Sequence, residues 1–474
     1  MPAHFQARSS LPVSAQQAFA WHCAPGAFER LLPPWEDVQV MGEPRALEAG
    51  QILTLRPRVG PLRLRWVAKI ERLEPEANLF QDVQQSGPFA AWEHTHRMLP
   101  QDAPESAGDS CILEDSVVYK PPFGPLGRLG GFVVRSRLKD MFQWRHEVTL
   151  RDLARHQSTQ SKPPMKILIS GASGMVGSNL VPFLTTGGHQ VLKLVRGTPK
   201  TADEIQWSVE GGVGNKSALE GLDAVVHLAG ENIAAGRWSD AMKARITKSR
   251  IQGTRRIVEA LAGLKNKPKV FVCASAIGYY GSRGDEVLDE TSTRGEGFLS
   301  DVVFDWEAEA AKLAEAGVRT VMARLGVVLS PTGGALKKML LPFKMGGGGT
   351  LGNGNQWMSW VALDDVVGAI HHAIVNDKLE GPVNVTAPGV VTNRTYTKTL
   401  GKVLGRPTII PLPGFGLKLA FGEMGEELLL GSQRVSPKTL EASGFRFDYP
   451  DLEGALRHLL GKKPISAAEI AHSA

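Results

Sequence analysis

The sequence has few cysteines and no long apolar run. Three cysteines occur in 474 residues, Cys23, Cys111 and Cys273, and they are too far apart to suggest paired or metal-binding spacing. We therefore expect buried thiols in a reducing, cytoplasmic setting and no metal site. No apolar stretch approaches the ~18 residues of a membrane span. Residues 1–13 lack the charged-then-apolar pattern of a signal peptide, so neither membrane insertion nor export is expected.

A strong charge of one sign is also missing. The formal net charge is +6, which is small for this length. Basic residues cluster loosely over 128–151, and a solvated helix face explains such a cluster. A nucleic-acid-binding protein would show a denser basic stripe together with a recognisable module. We therefore expect a small-molecule substrate and no nucleic-acid partner.

The length and the patterning divide the chain into three parts, because 474 residues exceed one ordinary core. Residues 1–155 combine strand-like segments, including a hairpin that turns at Gly60-Pro61, with a long helix over about 126–155. This is an α+β layout. The polar segment 156–164 ends in two prolines and is predicted to be a linker.

Residues 165–400 alternate apolar runs with helical stretches. The runs KILIS, VLKLV and AVVHLA are continuous rather than alternating, which is typical of a parallel sheet covered on both faces. The predicted fold class is α/β: a doubly wound parallel Rossmann sheet, preceded by the α+β domain and followed by a small helical cap at 405–462.

A glycine-rich turn follows the first of these runs, in the stretch ISGASGMVG. The strand is predicted to end at Ser170 and a helix to start near Gly174. Gly171 allows a tight turn, Gly174 lets the backbone approach a pyrophosphate, and Gly177 lets the helix pack closely on the strand. Unpaired N–H groups at the helix start attract an anion. Strand, turn and helix together indicate a dinucleotide site.

The second strand of this unit lacks the carboxylate that usually holds the ribose diol of NAD. From the start of this strand to residue 202 there is no Asp or Glu, and Arg196 stands where the strand should end. A guanidinium there matches a 2′-phosphate, so NADP is predicted as the cofactor; a surface arginine is the alternative. His227 ends a later strand and is interpreted as a packed histidine rather than an acid–base group. Arg250 could face the cofactor or solvent.

The motifs SGASGMVG, HLAGENIAAGRW, KSRIQGT, SAIGYYG, FDWEAEA and NVTAPGVVTN together resemble one family over about residues 165–400. This is the epimerase-like (SDR39U1-type) branch of the atypical extended short-chain dehydrogenases/reductases. The tail at 405–462 is similar to the small C-terminal domain that accompanies the family. Residues 1–155 resemble, more weakly, a START-like helix-grip domain of the polyketide-cyclase (SRPBCC) type. Bacterial chains with this domain order have been named cell-division inhibitors.

The resemblance implies a set of residues that contact the cofactor. They are Gly171, Ser173, Gly174, Met175, Val176 and Gly177 at the pyrophosphate, Arg196 at the 2′-phosphate, Leu228, Ala229 and Gly230 along the cofactor, Arg250 from a helix, and Ser275 and Val328 near the nicotinamide. The helix-grip resemblance implies an apolar ligand cavity in the N-terminal domain. The aromatic residues that could line this cavity, or belong to an ordinary core, are Trp66, Phe80, Trp92 and Phe142.

The proton-transfer pair Tyr-x-x-x-Lys that short-chain reductases typically use is missing. None of the five tyrosines has a lysine four residues on, and Glu307 stands near the expected lysine position. The position that usually holds the catalytic Ser or Thr is Ala276, one residue after Ser275. The candidates for a substitute catalytic group are therefore Ser275, Tyr279 and Tyr280, although Tyr280 could equally be a packing residue.

Three functions remain open on this evidence. The first is an NADP-dependent oxidoreductase or epimerase-like enzyme with a substitute acid. The second is a non-catalytic NADP(H)-binding regulatory or sensor protein, and the third is a lipid-like ligand carrier that acts through the N-terminal domain. Asn353, Gln356 and Trp357 are candidate substrate contacts in and just after the glycine-rich loop 345–355; the alternative is that Trp357 and Trp360 anchor this loop in the core.

Overall fold

The computed structural model describes residues 2–42, 45–101, 109–121, 131–158 and 162–463. The chain divides into two compact units, one made of residues 1–164 with 182–188 and the other of residues 165–181 with 189–474.

The first unit combines an antiparallel sheet with one long helix. Its strands are β1 (Ala3–Leu11), β2 (Val38–Met41), β3 (Ile52–Val59), β4 (Leu62–Arg63), β5 (Trp66–Glu74), β6 (Leu79–Ser86), β7 (Ala91–Gln101) and β8 (Ser110–Lys120). They pair in the order β1-β8-β7-β6-β5-β3-β2, with β4 beside β3. Its helices are α1 (Ala15–Cys23), α2 (Ala27–Arg30) and α3 (Gly131–Gln157), with a 3₁₀ turn at Pro75–Ala77.

The sequence patterns of this unit have clear physical counterparts. The hairpin turns at Gly60-Pro61 as predicted, since Val59 pairs with Leu62. Helix α3 buries Phe142 against the sheet residues Phe5 and Val117. The α+β layout is therefore confirmed. Residues 126–130 of the predicted long helix and residues 159–161 of the predicted linker lie outside the described residues.

Downstream of residue 165 the chain alternates strands and helices. The strands are β9 (Lys166–Ser170), β10 (Gln190–Val195), β11 (Glu204–Ser208), β12 (Gly212–Val213), β13 (Ala224–His227), β14 (Val270–Ala276), β15 (Val287–Leu288), β16 (Arg319–Leu325), β17 (Val327–Leu329), β18 (Trp357–Met358), β19 (Trp360–Ala362), β20 (Gly381–Val385), β21 (Val391–Thr392) and β22 (Arg434–Val435). The α-helices are α4 (Gly177–Thr186), α5 (Asp240–Ala262), α6 (Phe298–Glu315), α7 (Gly334–Lys344), α8 (Leu363–Val375), α9 (Asn393–Leu404), α10 (Gly414–Phe421), α11 (Glu423–Gly425), α12 (Lys438–Ala442) and α13 (Leu452–Leu459). Short 3₁₀ turns span Lys216–Leu219 and Ile277–Tyr280, and a π turn spans Glu426–Leu430.

The main sheet of the second unit is doubly wound, as predicted. Its order is β12-β11-β10-β9-β13-β14-β16-β20, and only the β11–β12 pair is antiparallel. Strand β9 is buried on both faces, since Ile167, Leu168 and Ile169 are at most 1% exposed. The strand order reverses between β9 and β13. The carboxyl ends of these two neighbours therefore form the crevice where such folds bind ligands.

The C-terminal region is largely helical, as predicted, although β22 adds a short parallel pairing with β15. Tyr449, Leu452 and Leu456 pack with Trp360 and Tyr396 in one apolar cluster. Within the described ranges, no helix is both long and apolar enough to cross a membrane.

Candidate functional site

The glycine-rich turn lies at the carboxyl end of β9, where the sheet order reverses. The strand ends at Ser170 as predicted, but the helix begins at Gly177, three residues later than predicted. The intervening chain closes a turn in which the N–H of Gly174 donates to the carbonyl of Gly171 over 2.9 Å. The glycines permit this compact turn, and the helix starts only after it.

Each glycine of the turn has its own steric reason. Gly171 has φ of 74°, and a Cβ there would lie 2.9 Å from the N of Ala229. A Cβ at Gly177 would collide with the carbonyl of Gly171 and lie 2.7 Å from Ala172 Cα. At Gly174, by contrast, a Cβ would meet only the Gly171 carbonyl, at 3.2 Å, and would otherwise fill the space above the turn. The backbone therefore leaves room for a ligand at Gly174.

The same turn presents free donors to that space. Among the described residues, no atom accepts a hydrogen bond from the N–H groups of Met175, Val176 or Gly177. They precede or open α4, so they carry the partial positive charge of a helix N-terminus. A cradle of unpaired N–H groups fits a diphosphate.

Arg196 follows directly on β10, as the sequence predicted. Its side chain is exposed and makes no ion pair or hydrogen bond with any other residue that the structure describes. The nearby carboxylate of Asp203 is paired with Lys193 over 2.8 Å. Among the described residues that follow β10, Arg196 is therefore an uncommitted cation, whereas the Asp203 carboxylate is already paired.

His227 is a packed histidine, which confirms the sequence interpretation. It is completely buried, with Nδ1 2.6 Å from Ser170 Oγ and Nε2 3.1 Å from Thr254 Oγ1. Burial, with a smaller contribution from Arg250, lowers the pKa of His227 to about 3. His227 is therefore neutral, and it orients the Ser170 hydroxyl.

The chain after β13 runs across the crevice. The N–H of Leu228 donates to the carbonyl of Ser170 over 3.1 Å, which ties this segment to the glycine-rich strand end. A Cβ at Gly230 would lie 3.4 Å from the guanidinium carbon of Arg250. Arg250 also donates to the carbonyl of Glu231 over 3.1 Å and lies over the ring of Trp306. It is half-buried at this edge, so part of its donor capacity is already used by the protein.

Val328, and Met175 of the glycine-rich turn, both lie next to Gly334. Val328 pairs with Val361 in the short β17–β19 ladder. A Cβ at Gly334 would lie 3.3 Å from the Val328 carbonyl and 3.4 Å from Met175 Cε. The β17 end and the glycine-rich turn are therefore neighbours, as expected for residues that contact one extended ligand.

A buried polar network occupies the carboxyl ends of β14, β16 and β20. Ser275 stands opposite Arg324, and Arg324 stands opposite Asn384, so the three form a row across parallel strands. Ser275 Oγ donates to Glu307 Oε1 over 2.5 Å. Arg324 grips the Glu307 carboxylate with two hydrogen bonds of 2.8 and 2.7 Å. Glu307 comes from α6, so the network joins the helix to the sheet.

Tyr280 belongs to this network. It is completely buried, its hydroxyl donates to Asn384 Oδ1 over 2.8 Å, and it accepts from Arg324 Nη1 over 2.9 Å. Burial raises the pKa of Tyr280, although the neighbouring Arg324 opposes this. Its hydroxyl is therefore fully committed to protein partners.

Tyr279 is differently placed. Its side chain is partly exposed, and the Arg324 guanidinium carbon lies 3.6 Å from its ring centroid. Its hydroxyl has no hydrogen-bond partner in the part of the chain that the structure describes. Of the two tyrosines, Tyr279 is the one whose hydroxyl is free to meet a ligand.

Two of the three predicted contacts in the glycine-rich loop hold the loop itself in place. Gln356 is buried and donates to the carbonyls of Leu351 and Leu429, both over 3.1 Å. Trp357 Nε1 donates to Asp285 over 2.7 Å. These contacts agree with the alternative that the loop is anchored to the core.

Sequence reasoning noticed Glu307 as an unusual residue in the lysine position but missed Arg324 and Asn384. Arg324 lies in the run TVMARLG and Asn384 in NVTAPG. A charged residue near the end of a predicted buried strand was the available signal, because such a charge requires a partner.

Family models match all three parts of the chain. Residues 167–386 match the NAD dependent epimerase/dehydratase family, and residues 11–143 match the model described as polyketide cyclase / dehydrase and lipid transport. Residues 412–459 match a domain of unknown function, DUF1731.

Relatives and solved structures agree with this division. An epimerase family protein of Mycobacterium tuberculosis is 42% identical over 290 residues, covering 61% of this chain and 96% of that protein. The crystal structure of a nucleoside-diphosphate sugar epimerase from Corynebacterium glutamicum has a TM-score of 0.79 at 30% identity and covers 99% of this chain and 92% of its own. The human epimerase family protein SDR39U1, solved with NADPH, has a TM-score of 0.58 at 33% identity and covers 62% of this chain and 99% of its own.

Proposed function

This chain belongs to the epimerase family of SDR39U1 type, and on that premise we propose that it is an NADP(H)-dependent oxidoreductase or epimerase-like enzyme acting on a small molecule. One observation carries the proposal: the unpaired N–H groups of residues 175–177 follow β9, and the uncommitted guanidinium of Arg196 follows β10, the neighbouring parallel strand. The first feature suits a diphosphate and the second suits a 2′-phosphate.

The human relative supports the choice of nucleotide, because its structure was solved with NADPH. In this chain, Gly171, Gly174 and Gly177 would carry the diphosphate, and Arg196 would bind the 2′-phosphate. The segment 228–230 would run along the cofactor. When bound, NADPH supplies a hydride to a carbonyl carbon, or NADP⁺ accepts one from a carbinol.

The proton that accompanies hydride transfer needs a donor in this chain. Tyr279 is the best supported candidate, since its hydroxyl has no partner among the described residues and its ring lies against the Arg324 guanidinium. The Arg324 guanidinium lies over this ring, and a cation–π contact of this kind holds the ring in place. Ser275 and Tyr280, both buried, would support Glu307, Arg324 and Asn384 from behind.

The test begins with mass spectrometry of the purified protein for retained nucleotide. NADPH oxidation is then screened over carbonyl compounds, with nucleotide sugars as a separate arm.

We expect Tyr279→Phe to lower kcat at least tenfold while NADPH affinity stays unchanged, because only the hydroxyl is removed. Tyr280→Phe serves as the matched comparison, and we expect it to lower thermal stability more than it lowers the rate. Full activity of Tyr279→Phe would overturn the role of Tyr279.

A second function has its own supporting observation. Glu307, which stands near the expected lysine position, is paired with Arg324, and Ser275 and Tyr280 both bond to this ion pair. Such a closed network suits an NADP(H)-binding sensor or regulatory protein. Retained NADPH without turnover over the whole panel would favour this function and contradict the enzyme.

The cellular setting follows the same reasoning. Cys23, Cys111 and Cys273, all within the described residues, form no disulfide, and burial raises the pKa of the Cys111 thiol to about 11. We propose the cytoplasm, a reducing compartment, as the setting of this protein. Labelling of the unfolded protein with a thiol reagent before and after reduction tests this, and any increase on reduction would contradict it.

A further inference from the structure

The N-terminal unit carries a buried cluster of histidines and carboxylates on its central strands. Asp82 of β6 stands opposite His94 of β7, and His96 of β7 stands opposite Asp115 of β8. His94, His96 and Asp115 are 4, 7 and 3% exposed. Alternate residues of a strand share a face, so these side chains lie together on the covered face of the sheet.

Three of these side chains point ligand atoms at one another. Asp82 Oδ2 lies 3.2 Å from His94 Nδ1 and 3.8 Å from His96 Nε2, and all three atoms lie within 4.8 Å of one another. Nitrogen and oxygen ligands about 2.1 Å from one metal ion are themselves separated by roughly 3–3.5 Å. The three atoms are therefore close to the spacing that a common ion would require.

The imidazole of His96 lacks a well-aligned hydrogen-bond partner at Nδ1. Its Nδ1 lies 2.6 Å from Asp115 Oδ1 but does not have the alignment of a hydrogen bond. Its Nε2 faces Asp82 Oδ2 at 3.8 Å. A buried imidazole normally has a partner on at least one nitrogen. A metal ion at Nε2 would satisfy this ring.

We propose that Asp82, His94 and His96 bind a divalent transition-metal ion through two imidazoles and one carboxylate. This ligand set suits Zn²⁺ or Fe²⁺ and leaves coordination positions open. Water, or an oxygen atom of a small ligand, would occupy those positions.

Neighbouring residues hold the ligands in orientation. His94 Nε2, on the far side of the ring from Asp82, is 2.9 Å from Asp115 Oδ1. Asp115 Oδ2 in turn is 2.6 Å from His146 Nε2 of helix α3. The ring of His96 stacks on Phe80 at a centroid distance of 4.0 Å. A carboxylate behind a ligating histidine is the usual support of a metal site, since it sets the tautomer and the ring direction.

The competing explanation is a metal-free ionic network, in which protonated imidazoles neutralise the two carboxylates. Such a network needs hydrogen bonds between the groups. His94 and His146 make them to Asp115, and Asp82 Oδ2 lies 3.2 Å from His94 Nδ1 but 3.8 Å from His96 Nε2. Asp115 therefore supports two histidines from behind, and the experiment decides whether Asp82, His94 and His96 form an ionic network or a metal site.

The experiment uses the full chain, stripped with a chelator, and measures Zn²⁺ binding by competition with a chromophoric chelator. We expect one tightly bound equivalent in the wild type and in His4→Gln, a matched control in which an exposed histidine is removed. Asp82→Asn and His96→Gln should each weaken binding at least tenfold. Asp115→Asn should weaken it by about 10- to 100-fold through loss of orientation.

A measurement on the wild type keeps the test valid if a variant fails to fold. Co²⁺ added to the stripped protein should give visible absorption bands of nitrogen and oxygen ligation, without the thiolate band that a cysteine site would give. NADPH binding should be unchanged in folded Asp82→Asn. The absence of a stoichiometric site, or unweakened binding in both ligand variants, would overturn the proposal.

Discussion

We expect one exposed side chain, Arg196, to determine whether the protein binds NADP(H) or NAD(H). It ends β10 without a partner among the described residues, while Asp203, the first carboxylate after it, is paired with Lys193. A guanidinium bound to a phosphate contributes about 1.5–3 kcal/mol per charged hydrogen bond. We therefore expect selectivity for the phosphorylated nucleotide to depend on this residue.

Arg196→Asp should weaken NADPH binding by about 10- to 100-fold and leave NADH binding nearly unchanged, because only NADPH carries the 2′-phosphate. Fluorescence titration with both nucleotides measures this. Lys200→Asp, another exposed charge reversal after the same strand, is the control and should have little effect. An equal loss of both affinities in Arg196→Asp would contradict the assignment.

Arg324 and Glu307 form a pair whose side chains are 3 and 10% exposed. Arg324→Met leaves a buried carboxylate without its partner, so we expect a loss of about 3–5 kcal/mol in unfolding free energy. The double variant Arg324→Met/Glu307→Met should be less destabilised than Arg324→Met alone, because no charge remains buried. Chemical denaturation measures both. A double variant that loses the sum of the two single effects would contradict this coupling.

At the scale of elements, strand register determines which polar groups meet. Ser275, Arg324 and Asn384 are more than 100 residues apart from end to end, yet they form a row across β14, β16 and β20. Helix α6 then adds Glu307. The pattern of apolar runs predicts these strands but not their register, because register depends on pairing between distant segments.

The glycine-rich turn is an element with little steric tolerance. Gly177→Ala should destabilise the protein by about 1–3 kcal/mol and reduce NADPH binding, because the new Cβ would collide with the backbone at Gly171 and Ala172. Calorimetry and nucleotide titration measure the two effects. Gly416→Ala is the control: a Cβ there meets nothing within 4 Å, and the residue lies in helix α10, so it should leave binding unchanged and stabilise the protein by up to about 1 kcal/mol. Unchanged stability and binding in Gly177→Ala would show that the turn is looser than described.

At the scale of the whole molecule, buried neutral histidines link stability to pH. The pKa of His227 is lowered to about 3, and that of His22, which lies in the other unit, is lowered to about 4, chiefly by burial. The unfolded chain therefore binds these protons at a higher pH than the folded chain does. Above pH ~6.5 these histidines do not lower the free energy of unfolding, and as the pH falls below that value they lower it increasingly.

Below pH ~6 each such histidine should reduce the unfolding free energy by about 1.4 kcal/mol per pH unit. His227→Gln removes one titration, so its melting temperature should fall less steeply between pH 6 and pH 4 than that of the wild type. Scanning calorimetry across this range measures the slopes. Parallel slopes in the two proteins would mean that His227 is protonated in the folded state.

The amino-acid sequence by itself determined the doubly wound sheet, the turn at Gly171–Gly177 and the position of Arg196, since these depend on local patterns of apolar residues, glycine and charge. Only the tertiary structure decided which of the two tyrosine hydroxyls has no partner among the described residues, that Arg324 pairs with Glu307, and that Asp82 lies beside two histidines. The expectation of no metal site came from cysteine spacing, which carries no information about side chains on neighbouring strands. Contacts of that kind arise from strand pairing and helix packing, and no local pattern specifies them.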